Sequence, residues 1–215
     1  MIYLITNENK DYFRAELFML YRSRFKTFYL KNHWDLNVKN GLEIDQFDNE
    51  YASNLVYIND FGRVAGGVRL ISTTQKHMFS EVFQSYVPER SYTHLDTTWE
   101  SSRFFIDDLS CFNKQGASMA KQATYELLIA MNELSLSWGI NKIVTFTDCR
   151  LERLFRIMGF PLERLGIPQD VAGEKAVSGY WLPSEEALKR LREKSNIRER
   201  LLWGGFPIKN PRLAA

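Results

Sequence analysis

Apolar side chains recur at helical spacing through residues 11–29, at Phe13, Leu17 and Leu20 and then at Phe28, so this stretch reads as an amphipathic helix. It follows a short apolar first strand over residues 2–6. Residues 30–54 are polar and aromatic without a period, which predicts a long ordered loop, and loops of that length are usually functional. Strand patterns at Tyr57–Asn59 and Arg63–Ser72 flank Asp60-Phe61-Gly62, a hairpin signal. A short helix near 78–85 and a proline-bearing loop lead to a strand over 98–107. Ala120, Ala123, Leu127, Met131, Leu134 and Trp138 mark a helix over 114–138 that stops at Gly139. Residues 142–147 form a β-branched strand, 149–158 a helix ended by Gly159, 174–182 a strand and 184–194 a helix. From about 196 a basic tail bearing proline and glycine is expected to be poorly ordered.

This order of elements predicts one α/β domain over 1–215, with a mixed sheet covered by helices, and it suits several acyltransferase-like sandwiches. Internal repeats and low-complexity tracts are absent from the sequence.

Several charges break the apolar pattern. Arg24 falls on the stripe of Leu17, Leu20 and Phe28, so its guanidinium either snorkels past the core edge or meets a partner or ligand inside. Arg69 is the one charge in Val64-Ala65-Gly66-Gly67-Val68-Arg69-Leu70-Ile71. Glu43, Asp45 and Asp48 crowd one sign into the long loop, where arginines from elsewhere are natural neutralisers. An ion-paired strut and a site for a zwitterionic or cationic ligand both fit, and the two are compatible. In Trp99-Glu100-Ser101-Ser102-Arg103-Phe104-Phe105-Ile106, alternation puts Glu100 and Ser102 on one face with Phe104 and Ile106. Arg103 lies on the other with Trp99, Ser101 and Phe105. A carboxylate on a largely apolar face is a candidate general base, because burial of a carboxylate favours its protonated form; a solvated or paired glutamate is the plainer alternative.

Charge and composition narrow the partners. A formal net charge of +2 from 28 basic and 26 acidic side chains supplies no global field for nucleic acid or an anionic membrane, so an electrostatic partner must be met by a local patch. One candidate is the fan of Arg150, Arg153 and Arg156 on the 149–158 helix, with Leu151, Leu154, Phe155 and Met158 expected on its opposite side; a merely solvated face is equally open. Cys111 and Cys149 lack metal or redox spacing and read as reduced thiols. The isolated His33, His77 and His94 give no metal-ligand spacing, so no metal is expected, and no phosphate loop, nucleophile elbow or Cys–His dyad appears. The start lacks the basic region and long apolar core of a signal peptide, and no apolar run approaches the roughly 20 residues that span a bilayer, so a cytoplasmic protein is expected.

Taken together, several blocks in sequence resemble one family. They are Arg24-Phe25-Lys26-Thr27-Phe28 with Trp34, then Gly41-Leu42-Glu43-Ile44-Asp45-Gln46-Phe47-Asp48, Val64 to Leu70, Met78 to Phe83, and Trp99 to Phe104. The chain is similar to the LuxI-type autoinducer synthases, which make acyl-homoserine lactones. The match is detailed over about the first half and looser beyond. The resemblance implies a three-layer αβα sandwich of the GNAT acyltransferase type, its central strands splayed into a V that admits the pantetheine arm of a thioester. It implies S-adenosylmethionine as a substrate, with no cofactor, held by Arg24, Phe28, Trp34, Asp45, Asp48, Arg69, Phe83 and Arg103. Glu100 takes the part of the base, and Ser102, Phe104 and Thr145 that of the acyl-donor site. Thr145 stands where members favouring β-keto chains carry threonine, so a medium-length β-keto product is expected; a packing role for a β-branched strand residue is as open. Acyl carrier protein, with an acidic helix to meet Arg150, Arg153 and Arg156, comes before acyl-CoA as donor, although Leu165-Gly166-Ile167-Pro168-Gln169-Asp170 is similar to a stretch in CoA-using members. Another GNAT-type N-acyltransferase using acetyl-CoA, or a non-catalytic binding module, is the rival reading.

Overall fold

A computed structural model describes residues 1–87, 95–107 and 116–202. The elements in chain order are β1 (Ile2–Ile5), α1 (Arg14–Arg24), a π-helical segment (Phe25–Lys31), β2 (Val38–Lys39), β3 (Leu42–Glu43), β4 (Ser53–Ile58), β5 (Val64–Ser72) and α2 (Met78–Glu81). After a 3₁₀ turn at Gln84–Tyr86 come β6 (Thr98–Ile106), α3 (Gly116–Trp138), β7 (Lys142–Asp148), α4 (Cys149–Met158), β8 (Glu163–Arg164), β9 (Gln169–Val171), β10 (Glu174–Trp181) and α5 (Glu185–Ser195). The main sheet runs β1-β4-β5-β6-β7-β10-β8, with β9 also on β10, and β2–β3 form a separate small hairpin. It is mixed: β6–β7 pair in parallel, while β1–β4 and β7–β10 are antiparallel.

The chain divides into two compact units. One comprises Met1–Arg69, Arg103–Ala130 and the chain from Arg200, and the other Leu70–Ser102 with Met131–Glu199. In the first, Ile5, Phe13, Leu20, Phe28, Val56, Val64 and Phe105 form the core. Gly67 is required there, because a Cβ would lie 2.8 Å from Leu20 Cδ1 and 3.1 Å from the Leu55 carbonyl oxygen. In the second, Trp99 packs on Trp138, and Trp181 packs on both Phe155 and Phe160.

Three sequence expectations change. The helix over 11–29 is α-helical only from Arg14 to Arg24 and then widens into the π turn. Closing turns over five residues counters the drift of an i, i+4 stripe, which keeps Phe28 buried on the Arg24 side. The stretch over 30–54 contains the β2–β3 hairpin, whose turn is Asn40-Gly41 at φ 54° and 73°. Two consecutive positive φ values match a two-residue I′ turn, the conformation that Asn-Gly favours. The tail is anchored where it begins: Ile197 and Leu202 are buried, and Leu202 bridges to Ile2. Residues 203–215 of the tail, with His94 and Cys111, lie outside the described residues.

Candidate active site

Six charged side chains of the first unit close a ring of alternating sign. Arg24, at the end of α1, donates through Nε to Glu43 at 2.6 Å and through both terminal nitrogens to Asp48 at 2.7 and 2.9 Å. Arg69, on β5, donates twice to Asp45 at 2.6 and 3.1 Å and lies 3.0 Å from Asp48. Arg103, on β6, donates through Nε and Nη2 to Glu43 at 3.1 and 2.8 Å and lies 3.0 Å from Asp45. The order around the ring is therefore Arg24, Glu43, Arg103, Asp45, Arg69, Asp48. Each arginine also lies over an aromatic ring: Arg24 over Tyr21, Arg69 over Phe47 and Arg103 over Phe28.

Burial of so many charges is tolerable only because each has partners of opposite sign on both sides. Burial alone would raise the Asp48 proton affinity, yet attraction and hydrogen bonds from Arg24, with attraction from Arg69, hold the carboxyl at about 2. Burial, with the negative charge of Asp48 beside it, pushes the Tyr21 hydroxyl up to about 12. The side chain of Asp45 keeps 18% exposure, whereas those of the other five are at 4% or less, so Asp45 is the vertex open to a ligand. Arg24, read from sequence as either snorkelling or partnered, is partnered. Glu43, noted in sequence only as part of an acidic crowd, is the hub joining α1 to β6.

Arg103 has φ 55° inside a strand, a left-handed conformation that costs a non-glycine residue about 1–3 kcal/mol. Its bonds to Glu43 and Asp45 supply the compensating contacts. Against this ring stands an aromatic stack: Trp34, 36% exposed, lies on buried Phe28 at 4.9 Å and 16°, and Phe105 meets Phe28 edge-on. The stack meets the ring through Arg103, which lies over Phe28, so the part-exposed indole of Trp34 offers a flat aromatic face and Asp45 a part-exposed negative charge.

In the second unit, Glu100 is 2% exposed, and the Ser102 hydroxyl donates to its Oε2 at 3.1 Å. The β6–β7 register pairs Thr98, Trp99 and Glu100 with Lys142, Ile143 and Val144, although β6 runs on to Ile106 and β7 to Asp148. Paired residues share a sheet face, so Glu100 stands with Val144 and, by alternation, with Phe146. Phe146 stacks on Phe83 at 4.4 Å and on Tyr86 at 5.3 Å. Phe83, which the resemblance assigns to the S-adenosylmethionine site, is thus a neighbour of Phe146 in the second unit. Of the acyl-donor candidates, Ser102 touches Glu100 and Phe104 is half-buried, but Thr145 stands on the other face. Its hydroxyl donates to the Ser101 carbonyl at 3.0 Å, so in this structure that proton is not available to a keto oxygen.

Helix α4 is capped by Asp148, which accepts from the amides of Arg150 and Leu151, and ends at Gly159 with φ 100°. Arg150, Arg153 and Arg156 are exposed as expected. Its inner side differs from the expectation, for Leu154 is 39% exposed and Ile157 59%. Glu152 is buried in place of Leu154, because Arg164 grips it with two hydrogen bonds at 2.9 and 2.7 Å. The outer face is therefore basic with two apolar side chains among the arginines. At the start of this helix Cys149 is a free thiol, raised in proton affinity by burial and by Glu152. Among the described residues no group of histidine, cysteine, aspartate and glutamate is arranged to hold a metal, and no helix is long and apolar enough to cross a membrane.

The autoinducer synthase family profile matches residues 7–191. An acyl-homoserine-lactone synthase of Agrobacterium fabrum (strain C58) is 34% identical over 186 residues, covering 86% of this chain and 87% of that one. Among solved structures, the CoA-dependent acyl-homoserine lactone synthase BjaI, with SAM and isopentyl-CoA, superposes with a TM-score of 0.86 at 25% identity, over 98% of this chain and 95% of that one. An acyl-CoA N-acyltransferase from Pseudomonas aeruginosa shares the fold, with a TM-score of 0.50 at 11% identity over 84% of this chain and 97% of that one. The mixed sheet with its helices is the GNAT acyltransferase fold. The chain belongs to the autoinducer synthases, acyltransferases that make acyl-homoserine lactones.

Proposed function

We propose that this chain acylates the amine of S-adenosylmethionine from an acyl-carrier-protein thioester and that Glu100 is the base. The observation that carries the reading is the buried Glu100 carboxylate, held by the Ser102 hydroxyl on the strand where the β6–β7 pairing ends. The ammonium of the substrate must lose a proton before its nitrogen can attack. Glu100 takes that proton through a water, the nitrogen bonds to the thioester carbonyl carbon, and the carbon–sulfur bond breaks to release the carrier thiol. Backbone N–H groups stabilise the oxyanion formed on the way. The methionine carboxylate then attacks the carbon next to the sulfonium, closing the lactone and expelling methylthioadenosine. This step is intramolecular and has a good leaving group, so holding the chain folded is most of what the protein must do.

Trp34 over Phe28 suits the adenine, and Asp45, the part-exposed carboxylate of the ring, suits the cationic end of S-adenosylmethionine. The other ring members, Arg24, Glu43, Asp48, Arg69 and Arg103, serve by holding those groups in place. The basic outer face of α4, with exposed Leu154 and Ile157, suits the acidic amphipathic helix of a carrier protein. Acyl-CoA is the second reading, favoured by the likeness to BjaI, a CoA-dependent synthase. Both substrates place the protein in the cytoplasm. Incubation with labelled S-adenosylmethionine and matched carrier-protein and CoA thioesters decides between them. Release of methylthioadenosine with the carrier thioester at the higher kcat/KM supports the first, a preference for CoA supports the second, and no release with either sinks the proposal.

A further inference from the structure

Thr145 carries an inference that the family resemblance does not. The parallel pairing of β6 and β7 reaches Glu100 and Val144 and goes no further in register. At the next position the Thr145 hydroxyl crosses to the Ser101 carbonyl, 3.0 Å away, with Thr145 at 4% and Ser101 at 4% exposure. A side chain thus takes over the rung that backbone pairing has given up, and it satisfies a buried carbonyl. The carbonyl belongs to the Ser101–Ser102 peptide, whose other end carries the serine that donates to Glu100 Oε2 at 3.1 Å.

We propose that Thr145 is a positioning residue: its hydroxyl clasps β7 to β6, fixes the Ser101–Ser102 peptide and, through the Ser102 hydroxyl, aims the Glu100 carboxylate. It does not read the acyl chain. Two features support this over contact with a β-keto oxygen. Thr145 lies on the sheet face opposite Val144, and hence opposite Glu100, and its one hydroxyl proton is already donated. The proposal rests on Glu100 acting as the base.

The test compares T145V, close in shape but lacking the hydroxyl, with T145S, which keeps it, on two thioesters of equal length, one plain and one 3-oxo. Misaimed catalytic groups cost rate steeply, so T145V is expected to lower kcat about ten-fold, in the same proportion for both donors. The KM for S-adenosylmethionine stays within roughly two-fold, the signature of lost positioning without lost binding. T145S recovers most of the rate, S102A shows a similar loss, and the T145V/S102A double variant loses little more than either single one. Amide hydrogen exchange in T145V quickens at residues 100–102 and 144–146. If T145V turns over the plain donor at the wild-type rate and loses only the 3-oxo donor, Thr145 reads the chain and the clasp is wrong. Unchanged exchange at those amides overturns it as well. Should Glu100→Gln prove active, the base reading fails, while the exchange data and the donor ratio still judge the clasp.

Discussion

At Asp48 burial opposes ionisation, and Arg24 and Arg69 overcome it, so the folded carboxyl titrates at about 2 against an ordinary 3.8. The unfolded chain therefore binds the proton more readily, and the stability contributed is present above pH 4 and lost as pH falls towards 2. The difference corresponds to roughly 2 kcal/mol. Asp48→Asn has no carboxyl to titrate, so the gap between wild type and variant, measured by urea unfolding, should narrow by about that amount from pH 5 down to pH 2. A gap that stays constant over this range removes the account. Glu100→Gln tests the chemistry: acylation should fall by roughly two to four orders of magnitude, the range for a general base, with the fold and S-adenosylmethionine binding kept. Turnover near the wild-type rate at neutral pH means that another group takes the proton. Arg24 and Arg69 were legible in sequence because one is a charge on an apolar helical stripe and the other a charge in an apolar strand run. Thr145 was legible as a position but not as a role, since its partner is a backbone carbonyl 44 residues away.

Elements were most legible where the sequence carries its own punctuation. Gly159 and Gly139 stop α4 and α3, and Ser184 caps α5 by accepting from the Ala187 amide. The Asn40-Gly41 turn went unread in the stretch taken for a loop, because the two-residue strands beside it lie below any periodicity. The π turn has no sequence mark, because it is selected by burying Arg24 and Phe28 together. Short β8 is likewise placed by β10: Gly179 pairs with Arg164, and a Cβ on Gly179 would lie 2.6 Å from Leu162 Cγ and 2.7 Å from the Glu163 carbonyl oxygen. A backbone atom cannot step aside as a side-chain end can. Gly179→Ala should cost about 1–3 kcal/mol, the range for overpacking, read as a lower urea midpoint. A midpoint equal to wild type would show that β8 shifts freely.

For the whole molecule the near-neutral charge matters more than its sign. With a net +2, long-range attraction to an acidic partner has to come from a patch, and α4 presents Arg150, Arg153 and Arg156 together. Exposed charges act chiefly on the encounter rate and are screened by salt. Arg153→Glu with Arg156→Glu should therefore raise the KM for an acyl carrier protein several-fold at low salt, with little change for S-adenosylmethionine or a bare pantetheine thioester. Equal kinetics for wild type and double variant at low salt place the docking surface elsewhere, or make acyl-CoA the donor.

The sequence by itself determined the order of the larger elements, the α/β class and the family, because periodicity, glycine stops and charges misplaced in apolar runs are local features of the chain. It also marked Glu43, Asp45 and Asp48 as a crowd of one sign that arginines could neutralise, and Arg24 and Arg69 as charges out of place in an apolar pattern. Only the tertiary structure decided which met which. The ring joins α1, β3, β5 and β6, Glu152 turned inward because Arg164 reached it, and Phe83 stacked on Phe146. Such pairings depend on distances across the fold, and no spacing along the chain encodes them.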